Sequence, residues 1–426
     1  MREVVHGAVA AFLLKATGSA LTFGFTVLVA RMFAARGSGV YALALSMATL
    51  ATVFGRLGLD QVLVRETAAA VVMEDWGAIR GHYRNAMLVA AVASLVVTAA
   101  LWLLAPMISV DMFHEPALVA PLRWMALAVY PWTMLLLHGE LLRGLKRIVS
   151  SYLVQAVGLP LVASVLLLGI GRGHGVVGAT WAFLVAAAGV AVIGAALWRR
   201  MTRQTAHYEP KGTTAELLSS SAPLLWVASL NFAMAWVGTF LLGIWASSSE
   251  VGIFNAAART VLLGALALMA VNAIAGPKFA ELHRSDDWTS LGRTARHVTI
   301  LVTLAAAPVL ALLLIAPSTV MSMFGKEFVS GAPALAIMAV GQFVNVATGS
   351  VGVLLIMTGH ERRMRDSVVV AAAVNVLLNL ILIPSLGIIG AAIATAAGLM
   401  ALNLTATYFV WTHLRISVFF FGRGSR

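Results

Sequence analysis

Apolar stretches of about 20 residues recur along the whole 426-residue chain, separated by short polar segments. Each is long enough to cross the roughly 30 Å hydrocarbon layer as a helix. The pattern predicts twelve such helices, over residues 7–30, 40–64, 85–106, 117–140, 149–170, 175–198, 218–246, 252–276, 296–317, 331–357, 367–386 and 388–412. The expected fold class is all-α, a polytopic membrane protein. The longest polar interval, 199–217, is too short to bury a core of its own, so it reads as a linker and no soluble catalytic domain is expected. The first apolar run lacks a convincing cleavage site, so it reads as a retained helix rather than a leader.

The same local patterns return after about half the chain. Gly39-Val40-Tyr41-Ala42 matches Gly252-Ile253-Phe254-Asn255, Leu103-Leu104-Ala105-Pro106 matches Leu314-Ile315-Ala316-Pro317, and Gly175-Val176-Val177-Gly178-Ala179 matches Gly387-Ile388-Ile389-Gly390-Ala391. The three offsets are nearly equal and each match falls at a helix end. The expected organisation is two pseudo-symmetric six-helix lobes, 1–198 and 218–426, joined by the linker. With six helices per lobe the repeat is parallel, and a cleft between rocking lobes is the natural path for a substrate.

Composition agrees with the pattern and narrows the chemistry. The chain is 61% hydrophobic and 11% charged, with a mean hydropathy of +0.93, far outside the range of soluble domains. It has no cysteine, which removes disulfides, thiolate catalysis and Cys-based metal sites. The net charge of +12 would raise the question of nucleic acid on a soluble protein. Here it is topological: 21 of the 29 Lys and Arg residues fall in the termini and alternate loops on one side, and 4 on the other. The positive-inside rule then puts both termini of a multi-pass protein in the cytoplasm. The expected surroundings are the bilayer of the plasma (inner) membrane, with no nucleic acid. No P-loop, HExxH or nucleophile elbow occurs, so the chain is expected not to be an enzyme and to need no cofactor or metal.

Four cations remain inside the predicted helices: Lys15, Arg56, Arg123 and Arg259. A cation at the centre of a spanning helix costs about 2.5 to 3.5 kcal/mol, so each needs a cavity or a partner. Lys15, Ser19, Thr22 and Thr26 share one face of helix 1, and Ser46, Thr49, Thr52, Arg56 and Asp60 share one face of helix 2, which points to a wet lumen. Arg259 follows Asn255 by one turn, and Gln342, Asn345, Gly349 and Gly352 line one face of helix 10. The candidate substrate contacts are therefore Lys15, Arg56, Arg123, Arg259, Asn255, Gln342 and Asn345, with Asp60 as a charge partner or coupling group. Two alternatives stay open: Arg56 and Asp60 simply neutralise each other, and Arg123 or Lys15 snorkels to lipid phosphates. Asn375 and Asn379 read as interhelical hydrogen bonds.

The second lobe carries Ser247-Ser248-Ser249-Glu250-Val251-Gly252-Ile253-Phe254-Asn255, Gly276-Pro277-Lys278-Phe279, Phe324-Gly325-Lys326-Glu327-Phe328 and Leu382-Ile383-Pro384. In that order these resemble the polysaccharide-transporter branch, the Wzx-type flippases, of the superfamily that also contains the MATE drug exporters and the lipid II flippases. The resemblance covers essentially the whole chain. It implies a MATE-like fold and movement of polyprenyl-pyrophosphate-linked oligosaccharide from the cytoplasmic to the outer leaflet, for polysaccharide biosynthesis. A polysaccharide polymerase and glycosyltransferases become candidate partners. Lipid II flippases use cations in helices 1, 2 and 8 of a central cavity, the helices that carry Lys15, Arg56 and Arg259 here. A MATE-like cation or drug antiporter is the alternative, but it would want acidic residues deep in its cavity, and helix 1 offers Lys15 instead. A membrane-embedded glycosyltransferase or polymerase would want a large catalytic loop, and no loop here exceeds about 20 residues.

Overall fold

The computed structural model describes residues 2–169 and 171–416, and no strand occurs among them. Among the described residues, ten helical stretches are long and apolar enough to cross a membrane. Two of them, Ala10–Arg56 and Glu361–Leu414, hold 47 and 54 residues. Straight helices of that length would run about 70 to 80 Å, more than twice the hydrocarbon thickness. Each is interrupted near its middle, at Ala34 (φ 56°) and at Gly387 (φ 52°), where the backbone leaves the helical region.

The helices are α1 (Arg2–Arg56), α2 (Leu59–Val72), α3 (Trp76–Met107), α4 (Val119–Gly144), α5 (Ile148–Tyr152), α6 (Leu159–Gly169), α7 (Gly175–Met201), α8 (Thr214–Trp245), α9 (Ser248–Val261), α10 (Leu266–Arg284), α11 (Trp288–Ile315), α12 (Pro317–Ser322), α13 (Ala332–Ala347), α14 (Val351–Met357) and α15 (Glu361–Phe409). Several boundaries differ from the sequence expectation. Predicted helix 2 stops at Arg56 and restarts at Leu59, because Gly58 is left-handed (φ 75°). Predicted helix 10 breaks between α13 and α14, where Gly349 has φ 69°. A Cβ there would lie 2.1 Å from Thr299 Oγ1, so only glycine fits. The expected face of Gln342, Asn345, Gly349 and Gly352 is therefore not continuous.

The chain divides into two compact units, one from Val9 to Phe232 and the other beginning at Ala233. The division falls inside α8. Within the first unit α4 is the central helix, packed chiefly against α7 and α3, with Leu122, Met125, Leu135 and Leu137 fully buried. Within the second, α13 packs on α15 and α11. One core cluster there joins Phe279, Leu291, Leu354, Leu355 and Val410. Leu88, Val92, Leu95 and Val96 of α3 form an exposed apolar stripe at helical spacing, the face that a multi-pass protein turns to lipid.

Turns at nearly the same offset share their geometry. Glu74 (φ 53°) and Asp286 (φ 54°) lie 212 positions apart and close the same left-handed helix cap. Asp75 N donates to Ala70 O as Asp287 N donates to Leu282 O, and the two aspartates then cap the next helices by accepting from Ala78 N and Ser290 N. Lys146 and Gly359 repeat the cap, with Arg147 N bonded to Leu142 O and His360 N to Leu355 O. Gly175 and Gly387, from the third sequence match, both have positive φ.

The segment expected to be a linker is docked rather than free. Arg80 of α3 donates to Ala206 O and Tyr208 O, Lys211 N donates to Gly77 O, and Asn85 Nδ2 donates to Gly212 O. Lys211 Nζ reaches Asp75 at 2.9 Å. The segment lies so close to α3 that a Cβ on Gly81 would sit 1.7 Å from Lys211 O.

Candidate functional site

In the first unit the predicted charges gather toward one end. Arg56 Nη1 is 2.9 Å from Asp60 Oδ2, while its Nε donates to Thr52 O at 3.2 Å. The pair closes over the Leu57–Gly58 break, with both side chains about four-fifths buried. Asp60 Oδ1 is buried without a hydrogen-bond partner. Glu140 of α4 is within electrostatic range of both residues. It forms an ion pair with Arg143 and accepts from Gln155 Nε2 at 3.0 Å. Lys15, exposed on α1, is near enough to Arg143 for the two cations to repel. Three cations and two carboxylates thus share this region.

Glu140, Arg143 and Gln155 were not among the sequence candidates. They lie on the C-terminal turns of α4 and in the π-helical turn after α5, and only the packing of those elements joins them to Arg56. The signal available in the sequence was a glutamate two residues after His138, at the end of predicted helix 4.

The hydroxyl stripes behave differently from expectation. Thr22 and Thr26 donate to Gly18 O and Thr22 O, and Ser46 and Thr52 donate to Leu43 O and Thr49 O. Ser46 and Thr52 are also fully buried. These hydroxyls satisfy themselves on their own helices, so they do not by themselves mark a wet face.

Arg123 stands apart. It is 17 residues before Glu140 on α4, about 25 Å along the helix axis. Its guanidinium lies 4.6 Å over the Trp102 ring.

In the second unit Arg259 lies 4.7 Å over the ring of Trp236, and Asn255 Nδ2 donates to Thr239 Oγ1 at 3.3 Å. Both candidates of α9 therefore face α8. Gln342 is buried beside Gly264, and its Nε2 has no hydrogen-bond partner. Asn345 is half-buried, three residues along α13. Asn375 donates to Ala394 O across the two arms of α15, the interhelical bond expected for it, while Asn379 donates back to Asn375 O.

This set is a polytopic helical protein with ionisable groups held inside apolar helices. A family model described as polysaccharide biosynthesis protein matches residues 4–283, and the chain belongs to that family. The resemblance read from the sequence thus holds. The chain is 27% identical over 191 residues to the probable flippase AglR of Haloferax volcanii, a stretch that covers 44% of this chain and 40% of that protein. The match therefore spans less than half of the curated relative. Among solved structures, the lipid II flippase MurJ in an inward closed conformation superposes with a TM-score of 0.73 at 13% identity, covering 96% of this chain and 88% of that one. An inward-facing multidrug resistance MATE family transporter of the MOP superfamily gives 0.70 at 17% identity, covering 96% and 98%. At these identities the superpositions establish a shared fold.

Proposed function

We propose that this protein is a non-enzymatic flippase that carries polyprenyl-pyrophosphate-linked oligosaccharide from the cytoplasmic to the outer leaflet of the plasma membrane by alternating access. The family match over residues 4–283 carries this reading. The flippase named among its relatives and the lipid II flippase among its structural neighbours support it. In this reading the ten helical stretches, two of them double length, act as twelve spans in two six-helix halves, with both termini cytoplasmic.

The chemistry follows from the charges. A pyrophosphate carries about two negative charges and must exchange water for fixed donors on its way across. Lys15, Arg56 and Arg259 supply cationic donors, Asn255, Gln342 and Asn345 hydrogen-bond to sugars, and Asp60 holds Arg56 until the headgroup arrives. An inside-negative potential favours outward movement of an anion by about 2.3 kcal/mol per charge per 100 mV, so roughly 4 to 5 kcal/mol for the pyrophosphate.

The deciding experiment is mass spectrometry of polyprenyl-linked glycans in cells depleted of the protein, with a leaflet-accessibility assay. The expected result is a lipid-linked oligosaccharide trapped on the cytoplasmic side, released by wild type but not by Arg259→Ala. An unchanged pool with raised sensitivity to cationic compounds would overturn the reading in favour of a drug antiporter.

A further inference from the structure

A groove of about 460 Å³ opens between the C-terminal end of α3 and the N-terminal end of α4, lined by Trp102, Pro116, Val119, Arg123, Trp124 and Leu127 among others. The volume is that of a small-molecule site. Its one charged group is Arg123, and its walls are apolar or aromatic. Trp102 holds the guanidinium by one face, and the buried Nε has no hydrogen-bond partner. No carboxylate lines the groove. Glu115, one residue before Pro116, is already engaged by Arg36 at 2.8 and 3.2 Å. Asp111 is exposed and is not among the residues that line the groove. An arginine in this setting lacks an anion.

The position says which anion. The groove lies at the end of α3 and α4 opposite the Glu74 and Lys146 turns, where the apolar span gives way to the short segment between the helices. Leu103, Leu104 and Met107 of α3 and Leu127 of α4 continue from it as exposed apolar surface. Tryptophan and arginine concentrate at headgroup depth because each offers an apolar body with a polar tip. A free phosphate would use the guanidinium alone. A lipid uses the guanidinium for its phosphate, the rings for its glycerol backbone, and the apolar strip for a chain.

We propose that this groove is a binding site for the phosphate of an anionic phospholipid, with Arg123 as the donor and Trp102 and Trp124 as flanking walls. It is separate from the charged cluster around Glu140, and it fixes the first unit at the membrane interface instead of forming part of the transport path.

The test is native mass spectrometry of the full chain in mild detergent, after incubation with phosphatidylglycerol or phosphatidylcholine of identical chains. Wild type is expected to retain phosphatidylglycerol over phosphatidylcholine by roughly tenfold or more, the size of one charge-assisted contact. Arg123→Gln should abolish that preference, Arg123→Lys should keep most of it, and Trp102→Leu should weaken binding of both lipids. Arg147→Gln, which alters an exposed cation at the other end of α4, should change nothing. Thermal unfolding of each variant separates loss of the site from loss of the fold, and Trp102→Leu carries the test if Arg123→Gln is misfolded. Equal retention of the two lipids by wild type, or an undiminished preference in Arg123→Gln, would overturn the proposal. So would stoichiometric displacement of phosphatidylglycerol by polyprenyl pyrophosphate, which would assign the groove to the transported lipid.

Discussion

Arg56 and Asp60 meet at 2.9 Å across a break in the helix rather than along one, because Gly58 between them is left-handed and ends one segment while Leu59 begins the next. The ion pair therefore joins two helical segments, α1 and α2, and a change in the break would change the distance. Its buried surroundings make removal of either partner costly, since the other is left uncompensated. A double-mutant cycle with Arg56→Gln and Asp60→Asn, read by thermal unfolding, is expected to give a coupling of about 0.5 to 3 kcal/mol. Exchanging the residues, Arg56→Asp with Asp60→Arg, should recover much of the stability. If the proposed function holds, it should not recover flipping, because that reading gives the headgroup contact to the cation at position 56. Full recovery of both would reduce Arg56 to a structural ion.

The docked segment 206–212 should be pH-sensitive. The Lys211 ammonium, and after it the Ala78 N–H, hold the Asp75 carboxyl below the usual carboxylate range. A carboxyl depressed in the folded state binds fewer protons there than in the unfolded chain. Its contribution is thus complete above the ordinary aspartate pKa of about 3.9 and is lost as pH falls through the lowered folded value. The chain has no cysteine, so a single nitroxide on Glu209→Cys can report the segment by electron paramagnetic resonance. We expect an immobilised spectrum at pH 7 that becomes more mobile only in strong acid. With Asp75→Asn added, part of that mobility should be present at pH 7. Spectra that ignore both pH and Asp75→Asn would mean that the backbone bonds to Arg80 and Gly77 suffice.

How far the sequence could be read depended on whether a feature is local. Apolar length is local, and the helical stretches were legible from it. Glycine marked the break at Gly387 correctly, but Ala34 takes φ 56° with no compositional sign, so a single residue stands where residues 31–39 read as a loop. At Gly349 the apolar pattern continues on both sides, and the break follows from Thr299 on another helix. Among the site residues, the Arg56–Asp60 pair and the Asn375 bond were visible as spacing. The approach of Glu140, Arg143 and Gln155 to them was not, because it depends on how α4 and the π-helical turn pack. The threonine stripes mark less than their spacing suggests for a related reason: periodicity locates a hydroxyl on a face, but the nearest acceptor is the carbonyl one turn back.

Gly349 offers a test of the break itself. Alanine there must adopt left-handed backbone, which costs about 1 to 2 kcal/mol, and its Cβ would collide with Thr299. Gly349→Ala is expected to lower the unfolding temperature by several degrees. Gly24→Ala, at a helical glycine with nothing within 4 Å of its Cβ position, should leave stability unchanged or raise it by up to about 1 kcal/mol. If Gly349→Ala proves as benign as Gly24→Ala, the break between α13 and α14 is a soft one that a continuous helix can replace.

Gln342 separates stability from transport most directly. Its amide Nε2 is buried in the second unit with no acceptor, and an unsatisfied buried donor costs about 1 to 3 kcal/mol. A group that destabilises the state in which it is buried needs another reason to be there, and under the proposed alternating-access function that reason is a partner met in a different state. Gln342→Leu, similar in volume and free of the donor, is expected to raise the unfolding temperature while slowing transfer of the lipid-linked glycan. Gln342→Glu should lower both, because it buries a charge. The measurement pairs thermal unfolding of the purified protein with complementation in depleted cells. A leucine variant that is more stable and fully active would show that the amide serves no step of transport and would remove Gln342 from the substrate contacts.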